Sequence, residues 1–243
     1  GWRVLENGTS HWWRSIGRNK KSITLDLKQA EGQQIARQLM DSADVVIENF
    51  RPGVMERIGL DYETVKQIKS DVVYAEISGY GVEGPWKDLP GQDLLLQSVS
   101  GLTWLSNNID ESPTPMGVAV VDIMAGTHIA QGILAALYQK SVTGEGALVQ
   151  VSMLESILDF QFEVLTCYYN DGRQLPVRGA VNSAHAYIAA PYGIYKTKDS
   201  YIALAMIDIH VLGDTIGCGA LKHFSKDDAF ALRDEIKSVL LEH

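Results

Sequence analysis

Asp122 is the side chain best placed for chemistry in this sequence. It stands where a short apolar run, Gly117 to Val121, gives way to helical spacing from Ile123 onward, with Ile129, Ile133 and Leu137 on one face. A carboxylate at an N-cap or first-turn position meets unpaired backbone N–H groups and the positive end of the helix dipole, which favour its charged form. Ala125, Gly126, Ala130 and Gly132 leave room beside it for a reactant. From spacing alone, simple helix capping also accounts for this aspartate, because Asp is among the preferred capping residues. Capping likewise accounts for Asp93, which with Gln92 opens a helix after Gly91. Arg51 follows a predicted strand end, where a guanidinium fork can hold a phosphate or carboxylate; ordinary surface charge is the alternative for both Arg51 and Arg57. The six histidines are scattered. His128 shares a helix with Asp122 but not its face, and His185 reads as a solvated loop residue.

Other chemistries lack their residues. There is no Walker loop, no GxGxxG and no GxSxG nucleophile elbow. Cys167 and Cys218 are too few for a disulfide framework, and no metal-type spacing exists. A formal net charge of −9 argues against nucleic acid and against anionic membranes. Basic residues nevertheless crowd the first quarter (Arg3, Arg14, Arg18, Lys20, Lys21, Lys28, Arg37, Arg51, Arg57), which suits a local anion site. Neither a signal peptide nor a long uncharged apolar run is read, so a cytoplasmic protein is expected.

The elements that must position these side chains alternate. With 243 residues, 46% hydrophobic, the chain can bury one large domain or one and a half. The opening, with Trp2, Trp12 and Trp13, has no clear period. Ser22–Leu27 alternates like a strand, and Lys28–Ala43 reads as a helix with Ile35, Leu39 and Met40 on its apolar face. Asp44–Glu48 is a buried-type strand, Asn49–Gly53 (NFRPG) a turn, Leu60–Ser70 a helix and Asp71–Ser78 a strand. Gln92–Leu105 reads as a helix broken near Gly101, Ala147–Val151 as a strand, and Met153–Tyr169 as a helix. Such alternation predicts βαβ units and a parallel sheet, with ligands at the carboxyl ends of the strands, where NFRPG and Ser78–Gly81 fall. Asp171–Ala186 reads as a linker or functional loop. Tyr192–Lys196 with Tyr201–Ala205 reads as a hairpin and Ala229–Leu241 as a last helix, placing a domain boundary near residue 180.

The motifs RNKKSITLDLK (Arg18–Lys28), ENFRPGVMERIGLDY (Glu48–Tyr62), EISGYGVEGP (Glu76–Pro85), GQDLLLQSVSG (Gly91–Gly101) and VDIMAGTHIAQGILAAL (Val121–Leu137) together closely resemble the family III coenzyme A transferases, a group that includes α-methylacyl-CoA racemases. The resemblance implies an α/β fold: a Rossmann-like parallel sheet with flanking helices over residues 1–170, a linker over 171–190, and the beginning of a smaller α+β domain over 191–243. It places the family nucleophile on Asp122 and the edge of the active site at Gln92 and Asp93. It assigns coenzyme A (CoA) binding to Leu25, Asp26, Leu27 and Lys28, to Asn49, Phe50 and Arg51, to Arg57, and to Asp93. Family members also begin with a strand and a GD-x-x-R-type segment not found upstream of Arg14, and continue past the hairpin. The chain is therefore expected to be truncated at both ends.

What the resemblance implies for function is transfer of CoA between an acyl-CoA and a small carboxylic acid through an aspartyl-CoA thioester. Acyl-CoA is then a substrate, with no tightly bound cofactor and no metal. Oxyanion stabilisation is expected from backbone N–H groups at the helix start and near the 182–185 loop. The family also implies an interlocked homodimer, with no nucleic-acid or membrane partner. Two alternatives stand beside this. A racemase needs an acid/base group on each face of the α-carbon, and racemases carry histidine where this chain has Gln92. A non-catalytic CoA-binding fragment is the other.

Overall fold

Short strands rich in Val and Ile that alternate with helices pair in parallel, with the helices crossing between them. The computed structural model, which describes residues 8–243, has that layout; Trp2 and Arg3 lie outside the described residues. The order is α1 (His11–Ile16), α2 (Ala30–Ser42), β1 (Val45–Glu48), α3 (Val54–Arg57), α4 (Tyr62–Ile68), β2 (Val73–Ser78), α5 (Asp93–Val99), α6 (Val120–Thr143), β3 (Ala147–Ser152), α7 (Met153–Phe160) and α8 (Phe162–Asn170). There follow a hairpin, β4 (Gly193–Lys196) and β5 (Tyr201–Leu204), then α9 (Ile209–Ile216) and α10 (Arg233–Glu242).

The main sheet has the order β1-β2-β3, all parallel, with Val46 opposite Tyr74 and Tyr74 opposite Leu148. One core packs Ala36, Val46, Met55, Leu60, Val65 and Tyr74, and the Tyr74 hydroxyl donates to the Leu60 carbonyl (2.8 Å). A second joins Leu96, Val121, Ala125, Met153 and Ile157, packing α5, α6 and α7 together. Helix α6 presses close to the sheet: a Cβ at Gly132 would stand 2.5 Å from a Val149 methyl. A third core, with Ile209, Leu212, Leu221 and Ile236, lies under the hairpin and α10.

Several expectations need correction. Ser22–Leu27 joins no ladder among the described residues; its alternation instead seats Leu25 and Leu27 on the first core. On α2 the buried residues are Gly32 and Ala36, while Ile35 and Leu39 are exposed. The predicted helix over Met153–Tyr169 breaks at Gln161. Helices α1 and α9 were not anticipated, and α10 starts only at Arg233. Helix α6 is, among the described residues, long and apolar enough to cross a membrane by length and composition, with a mean hydropathy of 1.5 over its best window, contrary to the absence of such a run expected above. Here Val121, Ala125, Ile129 and Ala136 are buried along it.

Candidate active site

Three chain segments converge where the strands end. After β1 the NFRPG turn bends back, with Gly53 at φ 80°, a left-handed conformation that glycine adopts without strain. The Asn49 amide fixes this turn to the neighbouring strand by donating to the Ile77 carbonyl (2.8 Å). After β2, Gly79 lies against Gly91. A Cβ added at Gly91 would stand 2.4 Å from the Gly79 Cα, so only glycine lets the loop after β2 touch the segment that leads into α5. The Gly79 carbonyl accepts from Leu154 N–H (3.0 Å), which ties the same loop to the start of α7. Between these segments lies a cleft of about 440 Å³ lined by Asn49, Phe50, Arg51, Ser78, Gly79, Lys87, Gln92, Asp93, Asp122, Gly126 and Met153, among others.

Asp122 occupies the third position of α6, in its first turn. Its neighbourhood differs from the sequence expectation in one important way. The N–H groups that would have stabilised it are taken by Asp93: Oδ1 of Asp93 accepts from Val121 N–H (2.8 Å) and Asp122 N–H (3.3 Å). Asp93, the first residue of α5, thus caps α6 from a separate element. Its other oxygen accepts from the Gln97 amide (2.5 Å). The Asp122 side chain accepts no hydrogen bond from the described residues. Removal of water on its inner side, then the neighbouring Asp93 charge, push Asp122 above the usual carboxylate range. The helix field was expected to act the other way, and these two effects outweigh it. Oxyanion stabilisation by the N–H groups at the helix start is corrected too, because Asp93 already accepts from those of Val121 and Asp122. The 182–185 loop does not line this cleft either.

Of the residues singled out from sequence, Asp122, Gln92, Asp93, Asn49, Phe50 and Arg51 meet in this cleft. Leu25, Asp26, Leu27, Lys28 and Arg57 do not. Leu25 and Leu27 pack on the first core, Asp26 accepts from Lys28 N–H (3.0 Å) in a local turn, and Lys28 and Arg57 are exposed. A larger cavity of about 520 Å³ shares Phe50, Arg51 and Lys87, but it also gathers Glu48, Glu56, Asp61, Glu63 and Glu76 and lacks Asp122. Its carboxylate lining repels an anionic ligand, so the cleft with Asp122 is the better site. His128 and His185 lie outside that cleft, against Asp159 (3.3 Å) and Glu163 (3.0 Å). Sequence reasoning missed Lys87 and Gln97. Lys87 gave no signal beyond its charge, whereas Gln97 stands four residues after Asp93, a spacing at which an aspartate and a glutamine on one helix can bond.

A family model described as CoA-transferase family III matches residues 1–239. An acetyl-CoA:oxalate CoA-transferase of Acetobacter aceti is 33% identical over 239 residues, covering 95% of this chain and 60% of that protein. A succinate–glutarate CoA-transferase of Agrobacterium fabrum is 36% identical over 205 residues, covering 83% of this chain and 49% of that protein. The crystal structure of a CAIB/BAIF family protein from Brucella suis superposes with a TM-score of 0.83 at 29% identity, over 99% of this chain and 64% of that one. The chain spans about half the length of the curated relatives it matches.

Proposed function

The chain belongs to CoA-transferase family III, and from that premise we propose that the protein moves CoA from an acyl-CoA to a carboxylic acid, with Asp122 as the nucleophile. The observation that carries this reading is the Asp122 carboxylate itself. It is free of hydrogen bonds from the described residues and faces a cleft whose other walls are the strand-end turns bearing Asn49, Phe50 and Arg51. An Asp122 oxygen attacks the thioester carbonyl, the C–S bond breaks, and CoA leaves as thiolate while Asp122 and the acyl group remain joined as a mixed anhydride. The thiolate then attacks the aspartyl carbonyl, which gives an aspartyl-CoA thioester and releases the donor acid. The acceptor carboxylate attacks that thioester, and the returning thiolate yields the new acyl-CoA and restores Asp122.

The other cleft residues have simple parts. Arg51 and Lys87 bring positive charge for anionic groups of CoA or of the acceptor acid. The Gln92 side chain makes no hydrogen bond to the described residues, so its amide is available to the acyl group. A racemase reading gains nothing here: Gln92 cannot exchange a proton, and both Asp93 oxygens are occupied. Lys28 and Arg57 remain in the proposal as distant contacts for the phosphates of a long ligand. A homodimer and a cytoplasmic location belong to the same proposal.

The test uses the full-length protein with acetyl-CoA and succinyl-CoA, donors suggested by the names of the relatives. Hydroxylamine trapping followed by peptide mapping should give a hydroxamate on the peptide containing Asp122. Asp122→Asn should keep the fold and abolish both the adduct and turnover. Full transferase activity in Asp122→Asn would end the proposal.

A further inference from the structure

We propose that Gln97 is a positioning residue for Asp122, acting through Asp93 to hold the first turn of α6 in register with the cleft. The inference rests on the nucleophile assignment above. Gln97 is 1% exposed, and a buried amide is costly unless its hydrogen bonds are made. Its Oε1 accepts from Met116 N–H (2.9 Å), while Nε2 donates to Asp93 Oδ2 (2.5 Å) and to the Val118 carbonyl (3.3 Å). Only one orientation of the amide satisfies all three partners. A flipped amide would set NH₂ against the Met116 N–H and its oxygen against a carboxylate and a carbonyl. Gln97 therefore fixes two things together: the segment that leads into α6 and the rotamer of Asp93.

Asp93 passes that restraint on, because Oδ1 holds the N–H groups of Val121 and Asp122. The nucleophile has no side-chain hydrogen bond of its own among the described residues, so its placement comes from this backbone anchor. Release of the anchor should leave CoA binding intact, since Phe50 and Arg51 sit on the separate turn after β1.

The experiment measures the single-turnover rate of acyl-enzyme formation and the KM for acyl-CoA in the full-length protein. Gln97→Leu and Gln97→Glu should slow acyl transfer about 10–100-fold, the cost of a small misplacement of the attacking atom, with KM within about twofold of wild type. The exchange variant Asp93→Asn/Gln97→Glu swaps carboxylate and amide. It keeps an acceptor for the α6 N–H groups, the bond between residues 93 and 97 with its polarity reversed, and an acceptor for Met116 N–H; it gives up the long contact to the Val118 carbonyl (3.3 Å), so the rescue is partial. It should recover at least about tenfold of the lost rate, a rescue that general loss of stability would not produce. A wild-type rate in folded Gln97→Leu would overturn the proposal. So would an exchange variant that melts like wild type yet is no faster than the single variants. Failure of the nucleophile assignment itself would read differently, as an adduct that persists in Asp122→Asn.

Discussion

Asp122 stands between a helix dipole that favours its charge and two effects that oppose it. Loss of water on its inner side and the neighbouring Asp93 carboxylate prevail, and they hold its proton more tightly than in an ordinary aspartate. A carboxylate nucleophile must be ionised, so acyl-enzyme formation should fall away on the acid side at a pH above the usual aspartate range. The same charge–charge contact gives the sign of the next expectation. Asp93→Asn removes the negative charge beside Asp122, although its one oxygen cannot serve both the α6 N–H groups and the Gln97 amide, so the Asp122 pKa should fall. The acid limb of the pH–rate profile should then move to lower pH, whatever happens to the plateau rate. An acid limb that stays in place or rises would show that Asp93 does not set the ionisation of Asp122.

Most of what shapes the cleft is contact between elements. Helix α6 borrows its cap from α5, and the loop after β2 reaches the start of α5 only because Gly79 and Gly91 lack side chains. The segment between α8 and β4 follows the same rule. It has no periodicity, yet Arg178 within it is 2% exposed, stacks 4.0 Å from the Trp104 ring, and donates to the carbonyls of Ser106, Ile109 and Glu111. Helix α10 grips the other side. Asp234 Oδ1 accepts from Ala180 N–H (2.9 Å) and Val181 N–H (3.1 Å), and buried Lys237 donates to the Asn182 carbonyl (3.1 Å). The segment is held from both sides. Asp234→Ala removes the acceptor of the exposed Ala180 N–H and the half-buried Val181 N–H and should cost about 1 kcal/mol in urea denaturation. Limited proteolysis should then cut within 171–190 sooner than in wild type. Unchanged stability together with an unchanged cleavage pattern would show that Asp234 does not hold the segment.

At the scale of the whole molecule, much apolar surface lies open. Ile123, Leu134, Tyr138 and Val142 of α6 are between 58% and 74% exposed, and Ile47 of β1 is 59% exposed. Soluble monomers rarely leave so much apolar surface uncovered, which supports the proposed homodimer. Sedimentation of the full-length protein across a dilution series should give a dimer that persists to the lowest measurable concentration; a monomer throughout would refute it. The three strands of the parallel sheet, the turn NFRPG at a strand end and the place of Asp122 at the start of a helix were legible in the sequence, whereas the strand read at Ser22–Leu27 was not a strand. Each legible feature depends on local periodicity or on residues adjacent in the chain. Tertiary structure alone decided the rest. It put Asn49, Phe50 and Arg51 beside Asp122 while leaving Lys28 and Arg57 outside the cleft, and it gave the α6 N–H groups to Asp93. It also turned the ionisation of Asp122 against the helix field. Such outcomes depend on which groups remove each other's water and compete for the same hydrogen bonds, and residues 122 and 93 do so across 29 positions of chain.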